Sequence, residues 1–213
     1  MTVEARRGRG RPAQRDEEIR QFVVRSAMQL LLDVGYESTT MEAIAAHAGV
    51  AKKTAYRFGA NRDELIGLAV REWTDLYAPA LFVQPDSVQD VPRVLREILE
   101  SICAHVLSDS AVRMFRLLTT EFPGKDTLLA QYQRNGVERG RRMLADWLAV
   151  QHERRLVHVP DAVMLAELLL SMAVAEPLRQ IALGVQPPLP LGSVKAHLDG
   201  CLSLILPLIQ RQK

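Results

Sequence analysis

Cysteine is nearly absent: Cys103 and Cys201 are the only two in 213 residues. Two thiols cannot build a disulfide framework or a four-ligand zinc site, and such a chain fits a reducing compartment. Long apolar runs are missing too. The greasiest stretch, Met164–Val174, is broken by Glu167 and Ser171, and falls far short of the ~20 residues that a membrane span needs. The opening MTVEARRGRG has arginines but no apolar segment, so no secretory signal is expected and a soluble, cytoplasmic protein without a membrane partner is. Period-two alternation is confined to Leu156–Val159, which reads as a loop between Arg155 and Pro160. Gly-rich phosphate loops, nucleophile elbows and metal-ligand spacings are lacking, and His105, His152, His158 and His197 are scattered. Neither catalysis nor a cofactor is expected.

What is present is ordinary on average: 48% hydrophobic and 24% charged residues, enough for a proper core and too apolar for global disorder. The net charge of +2 becomes informative when divided. Residues 1–15 hold five arginines against one acid, residues 16–74 seven bases against nine acids, and residues 75–213 fifteen of each. The excess positive charge therefore sits at one end, as expected of a nucleic-acid contact, although a solubilising tail has the same composition.

Helical periodicity runs nearly throughout, which predicts an all-α fold. A first helix is expected from about residue 16 to 34, with Ile19, Phe22, Val23, Leu30, Leu31 and Val34 on one stripe and Asp16, Glu17 and Glu18 in its first turn. Thr39 with Glu42 reads as a capping box for a second, short helix that ends at Gly49. A third runs from about residue 51 to 58, and Asn61 can cap a fourth, from Arg62 to about Leu76. Two short helices joined by a Gly-containing turn behind a longer one match the helix-turn-helix plan. Longer helices follow near 87–107, 110–121, 125–152, 161–184 and 192–210, with Pro177 expected to kink the penultimate one. The expected division is a basic disordered arm at 1–14, a three-helix DNA-binding domain at 15–74, and a larger helical ligand-binding and dimerisation domain at 75–213.

The segment Gly35-Tyr36-Glu37-Ser38-Thr39-Thr40-Met41-Glu42-Ala43-Ile44-Ala45, followed by Ala48-Gly49-Val50-Ala51-Lys52-Lys53-Thr54-Ala55-Tyr56-Arg57-Phe58 and Asn61-Arg62-Asp63-Glu64-Leu65, resembles the TetR family of bacterial regulators over roughly residues 15–70. Ala51 departs from the family's usual Ser and loses a capping hydroxyl. Gly59 replaces a large aromatic, which implies less packing between the third and fourth helices. The donor-rich start of the third helix fits a major groove, with Lys52, Lys53 and Arg57 as candidates for base readout. The resemblance implies that Thr39, Thr40, Thr54, Tyr56 and Arg62 contact DNA, mostly as phosphate contacts that set register. Phe58 reads as core. Arg7-Gly8-Arg9-Gly10-Arg11-Pro12 resembles an AT-hook core whose Arg9 and Arg11 could enter a minor groove.

For the rest of the chain the resemblance implies a ligand cavity and a dimer interface. The run Arg116–Pro123 resembles a subgroup of multidrug-type and efflux-linked regulators. The dimer pair is expected to be the last two helices, through Leu165, Leu168, Leu169, Met172 and Pro177 on one and Leu198, Cys201, Leu202, Ile205, Leu208 and Ile209 on the other, although such stripes also serve an intrachain core. Pocket candidates are Met114, Phe115, Phe122, Tyr132, Met143, Trp147 and Met172, with Cys103, His105 and Gln131 as polar additions. The implied partners are a double-stranded DNA operator, a small apolar or amphipathic effector and a second copy of the chain. The implied function is sequence-specific transcriptional regulation as a ligand-relieved repressor on a palindromic operator. An activator, an architectural DNA-binding protein using the arginine arm, and a helical enzyme or carrier stand as alternatives.

Overall fold

A sequence with helical periodicity and no sustained alternation folds into helices alone: a computed structural model shows no strand among the described residues. It describes the backbone of residues 10–120, 122–187 and 191–210, and side chains from residue 15 to 120, 122 to 187 and 194 to 210. The chain divides into two compact units, one ending at Ala69 and the other beginning at Val70.

In the first unit, α1 (Gly10–Val34) starts earlier than expected. Pro12 falls in its first turn, where a missing N–H is no loss. Arg11 and Pro12 are therefore helical backbone and not an extended arm, the acids at 16–18 leave the first turn, and Arg9 lies outside the described residues. The buried stripe is Val23, Val24, Ala27, Met28 and Leu31. Phe22 and Val34, expected in the core, point to solvent at 56% and 53% exposure because they sit off that stripe.

The cap of α2 (Met41–His47) is Thr40, one residue later than the capping box implied: its backbone is extended and its Oγ1 accepts from Ala43 N at 3.1 Å. The α2 C-terminus closes with Gly49 N to Ala46 O and Val50 N to Ala45 O, a Schellman closure that needs the left-handed backbone of Gly49 at φ +66°. Next comes α3 (Lys52–Phe58), whose capping residue Ala51 makes no side-chain bond, as its missing hydroxyl implies. Gly59 follows as the residue that closes α3. A Cβ there would lie 2.9 Å from the Leu65 side chain, so Leu65 sits directly against the glycine and leaves no room for a side chain at that position. Asn61 caps α4 (Arg62–Asp75) by accepting from Glu64 N at 2.9 Å, while Glu64 reaches back to Ala60 N at 2.8 Å.

In the second unit, a short helix that was not foreseen, α5 (Ala78–Phe82), precedes α6 (Val91–Val106) and α7 (Asp109–Leu118), the latter capped by Ser108. The helix expected at 125–152 is present as α8 (Lys125–Tyr132), a π turn (Gln133–Val137) and α9 (Glu138–Glu153). The one expected at 161–184 is likewise α10 (Ala162–Leu170), a π turn (Ser171–Ala175) and α11 (Glu176–Ala182). Pro177 acts through that turn: the wider winding just upstream accommodates a ring that a regular helix would clash with. The last described element is α12 (Leu191–Ile209).

The core of this unit corrects the expected dimer stripe. Leu169, Leu198, Leu202, Ile205 and Ile209 are buried within the chain's own cluster, alongside Leu95, Ile98 and Leu99 of α6 and Leu144 and Leu148 of α9, and Leu165 packs against it. Cys201 and Pro177 are buried as well. The outward apolar face on the same helices is Val163, Met164 and Leu168 of α10 and Leu204 and Leu208 of α12.

Candidate functional site

The first candidate is the surface of α3. Ala55 is fully buried and anchors the helix, which turns Lys52, Lys53, Tyr56 and Arg57 outward, with Thr54 and Phe58 half-buried between the two sides. Positions i, i+1, i+4 and i+5 share a helical face, so four donor-bearing side chains stand together over barely two turns. Lys52 Nζ pairs with Glu42 and lies 5.7 Å from the Tyr56 ring, and Arg57 pairs with Asp16 and stacks 4.8 Å from Phe58. The Glu42 bond pushes the Lys52 ammonium up and, in turn, holds the Glu42 carboxyl down. Both pairs are at least half exposed, and such pairs contribute little to stability, so their cations can be given up to another anion at small cost. Among the described residues Lys53 has no ion pair. Thr40 is exposed beside this face.

Two residues expected on DNA are used internally. Thr39 is fully buried and its hydroxyl donates to Gly35 O at 2.7 Å. Arg62 is half-buried, donates from Nη1 to the carbonyls of Tyr36 at 2.7 Å and Thr39 at 3.3 Å, and lies 3.7 Å from the Tyr36 ring. It ties the start of α4 to the turn before α2. Burial pushes the Tyr36 phenol up, the Arg62 guanidinium opposes the shift, and the bond to Asp63 adds to it.

The second candidate is a cavity of about 540 Å³ within the second unit. Its wall is built from Val70, Trp73 and Thr74 of α4 with Tyr77 just beyond it; Ile102 and Val106 of α6 and Ala111 of α7; Gln133, Gly136, Val137, Gly140 and Arg141; and Glu167, Leu170, Ser171, Val174, Ala175, Leu178 and Arg179. Both π turns contribute to the wall. Glycine at 140 permits the close approach of Tyr77, since a Cβ would collide with the phenol oxygen. Burial pushes Tyr77 up to about 12 and raises Tyr132 as well.

Of the expected pocket residues, Met114, Phe115, Tyr132 and His105 line this cavity. Cys103, Phe122, Gln131, Met143, Trp147 and Met172 do not. Trp147 is a core residue whose Nε1 donates to Val83 O at 3.0 Å, and Met143 and Met172 pack against the same core. Cys103 is buried, bonds Ala173 O at 3.4 Å, and is pushed up to about 12 by burial. Trp73, Thr74 and Tyr77 lie outside the expected set, whose candidates all fall at or beyond Cys103. Their spacing from Val70, at i+3, i+4 and i+7, was a legible signal. Among the described residues no group of side chains could hold a metal ion, and no helix is long and apolar enough to cross a membrane.

Comparison with known proteins bears on both sites. Residues 93–207 match the model of the AefR-like transcriptional repressor C-terminal domain, and residues 23–68 that of the bacterial regulatory proteins of the tetR family. Among solved structures, the chain resembles a TetR-family transcriptional regulator from Mesorhizobium loti at 18% identity over 92% of this chain and 99% of that one, with a TM-score of 0.76. It resembles the Flavonoid-responsive Regulator FrrA at 24% identity over 92% and 100%, TM-score 0.72. It also resembles a TetR transcriptional regulator from Agrobacterium tumefaciens at 18% identity over 91% and 96%, TM-score 0.70. At these identities the likeness shows a shared fold. No curated protein matches the sequence. Two family models, together reaching into both units, make the chain a member of the TetR family of bacterial regulatory proteins, a DNA-binding transcriptional regulator built on a helix-turn-helix.

Proposed function

We propose that the protein is a dimeric repressor that binds a palindromic operator and is released from it by a small apolar or amphipathic effector. The observation that carries this reading is the four-residue donor face of α3, Lys52, Lys53, Tyr56 and Arg57, on a helix short enough to lie in a major groove. Lys52, Lys53 and Arg57 are assigned to base edges or phosphates, and Thr40, Thr54 and Tyr56 to phosphates. Arg9, Arg11 and their neighbours add sequence-independent attraction.

Two copies would associate through the outward face of Val163, Met164, Leu168, Leu204 and Leu208, and such an association would supply the twofold symmetry that a palindrome requires. The effector would occupy the 540 Å³ cavity. Because α4 supplies Val70, Trp73 and Thr74 to its wall, the ligand would act on the helix that directly follows α3. Half-sites lie about one turn, roughly 34 Å, apart, so a shift of a few ångströms in the spacing of the two reading helices suffices. The ligand must also prefer the released state, or nothing moves.

A mobility-shift assay on DNA flanking the protein's own gene tests the reading. A retained band that Lys53→Ala weakens and that Leu204→Glu abolishes by making a monomer supports it. Equal retention of unrelated DNA of the same length would refute it.

A further inference from the structure

Resting on the reading of the cavity as the effector site, we propose that its ligand is an uncharged, largely apolar molecule bearing a hydrogen-bond donor, such as a phenolic hydroxyl, that His105 receives. His105 Nδ1 lies 2.7 Å from Ser101 O on its own helix. A carbonyl oxygen only accepts, so Nδ1 holds a proton, and whenever the ring is neutral Nε2 is left as an acceptor. This ring stands in the cavity wall, 6.2 Å from the Tyr77 ring.

The cationic side chains in the wall are already matched. Arg141 pairs with Glu167 at 3.0 Å, and Arg179 with Glu176 at 2.6 Å, a bond that holds the Glu176 carboxyl at about 2. A ligand carboxylate would have to compete with a protein carboxylate for each guanidinium, which lessens the usual advantage of an anionic head group. A pure hydrocarbon fails for the opposite reason. It would leave His105 Nε2 and the Tyr132 hydroxyl without water or a partner, since among the described residues the Tyr132 hydroxyl makes no hydrogen bond, and sites with unpaired polar groups discriminate strongly against such ligands. Trp73, Met114, Phe115, Val174 and Leu178 supply the apolar remainder. At about 30 Å³ per water, the space of 540 Å³ equals about eighteen waters, room for a molecule of two or three rings.

Three probes sharing one ring system separate the possibilities: 2-naphthol, 2-methoxynaphthalene and 2-naphthoate, titrated calorimetrically into the full chain without DNA at pH 7.5. Naphthol is expected to bind about tenfold tighter than the ether, the ratio that a net hydrogen bond of about 1.4 kcal/mol provides, and naphthoate is expected to bind weakest. His105→Phe should erase the preference for naphthol over the ether. Tyr132→Phe, which keeps the ring, should narrow it. The wild-type series decides the matter even where His105→Phe does not fold. Equal affinity for naphthol and its ether, a preference for naphthoate, or no binding of any probe would overturn the proposal. An operator shift with each probe keeps the two readings apart. Naphthol preference without DNA release supports the ligand class and sinks the effector role, whereas release by ether and naphthol alike, at equal affinity, sinks the ligand class and leaves the effector role standing.

Discussion

Arg62 separates a structural from a DNA-binding role for one side chain. Its Nη1 donates to Tyr36 O at 2.7 Å and to Thr39 O at 3.3 Å, and its guanidinium stacks 3.7 Å from the Tyr36 ring. A hydrogen bond from a charged donor contributes about 1.5–3 kcal/mol, and the longer bond adds little. Stacking at a half-exposed site adds about 0.5–1 kcal/mol. Because Arg62 is only half-buried, the lower ends apply, and Arg62→Ala should cost about 2–3 kcal/mol. In a chain of this length about 2–4 °C of Tm accompanies each kcal/mol, so a loss of about 5–10 °C is expected in thermal melts followed by circular dichroism. Arg62→Lys keeps the charge but has no planar fork to bond two carbonyls while stacking, and it should lose roughly half as much stability. Its operator affinity should show an unchanged salt slope. An unchanged Tm together with a slope lowered by about one unit would mean that Arg62 binds phosphate, and the structural argument would fall.

Other substitutions probe the remaining elements. Lys53→Ala should lower the salt slope of operator binding by about one unit while leaving stability within about 0.5 kcal/mol, because Lys53 is exposed on the reading face; an unchanged slope would remove it from the interface. Arg155→Gly should stabilise by about 0.5–1 kcal/mol in urea unfolding. Arg155 closes α9 at φ 61°, a left-handed backbone that costs a side-chain-bearing residue about 1–2 kcal/mol and a glycine only its extra unfolded-state entropy. Alkaline stability should fall from about pH 9 upward. Burial raises Cys103 from 9.0 and Tyr77 from 10.0, both to about 12, so the unfolded chain loses these protons first. The stabilisation is complete below pH 9 and is lost as pH climbs toward 12; a Tm constant from pH 8 to 11 would contradict it. Leu198→Ala should cost about 3–5 kcal/mol, because Leu198 is fully buried within its own chain. A mild effect on unfolding combined with loss of the dimer would return it to the interface.

Helix positions were legible because their signals are local: Asn61 does cap α4, and Ser108 and Gly124 mark breaks that the structure keeps. Which face an apolar helix buries is not local. Helix α12 has Leu202 at 1% exposure and Leu204 at 66%, two leucines of one composition that only the rest of the fold distinguishes. The exposed donor face of α3 was readable from donor-rich sequence, but the inward use of Thr39 and Arg62 depended on where Gly35 and Tyr36 present their carbonyls. Cavity residues chosen by side-chain size were least reliable, since Trp147 serves the core as well as Trp73 serves the wall. The π turns have no sequence period of their own, and Pro177 alone pointed to one of them.

That proline also explains residues expected to meet the ligand that in fact support its wall. Glu176 N bonds Ser171 O in the wide turn, and Pro177 has no N–H to give. Met172 O and Ala173 O thereby lose their helical donors. A buried carbonyl without a partner costs about 1–3 kcal/mol, and both are met from outside the helix. His197 Nε2 of α12 donates to Met172 O at 2.9 Å, and the Cys103 thiol of α6 donates to Ala173 O at 3.4 Å. Along the other π turn the donor comes from the turn itself, where Asn135 Nδ2 donates to Gln131 O at 3.1 Å. Burial keeps the Cys103 thiol protonated, the form this bond requires. The Ser171–Ala175 wall is therefore held by donors from two other helices, one of which carries Leu204 and Leu208 outward. A ligand that restores regular winding at Ser171 or Val174 must disturb the bond to His197, and with it the seating of α12.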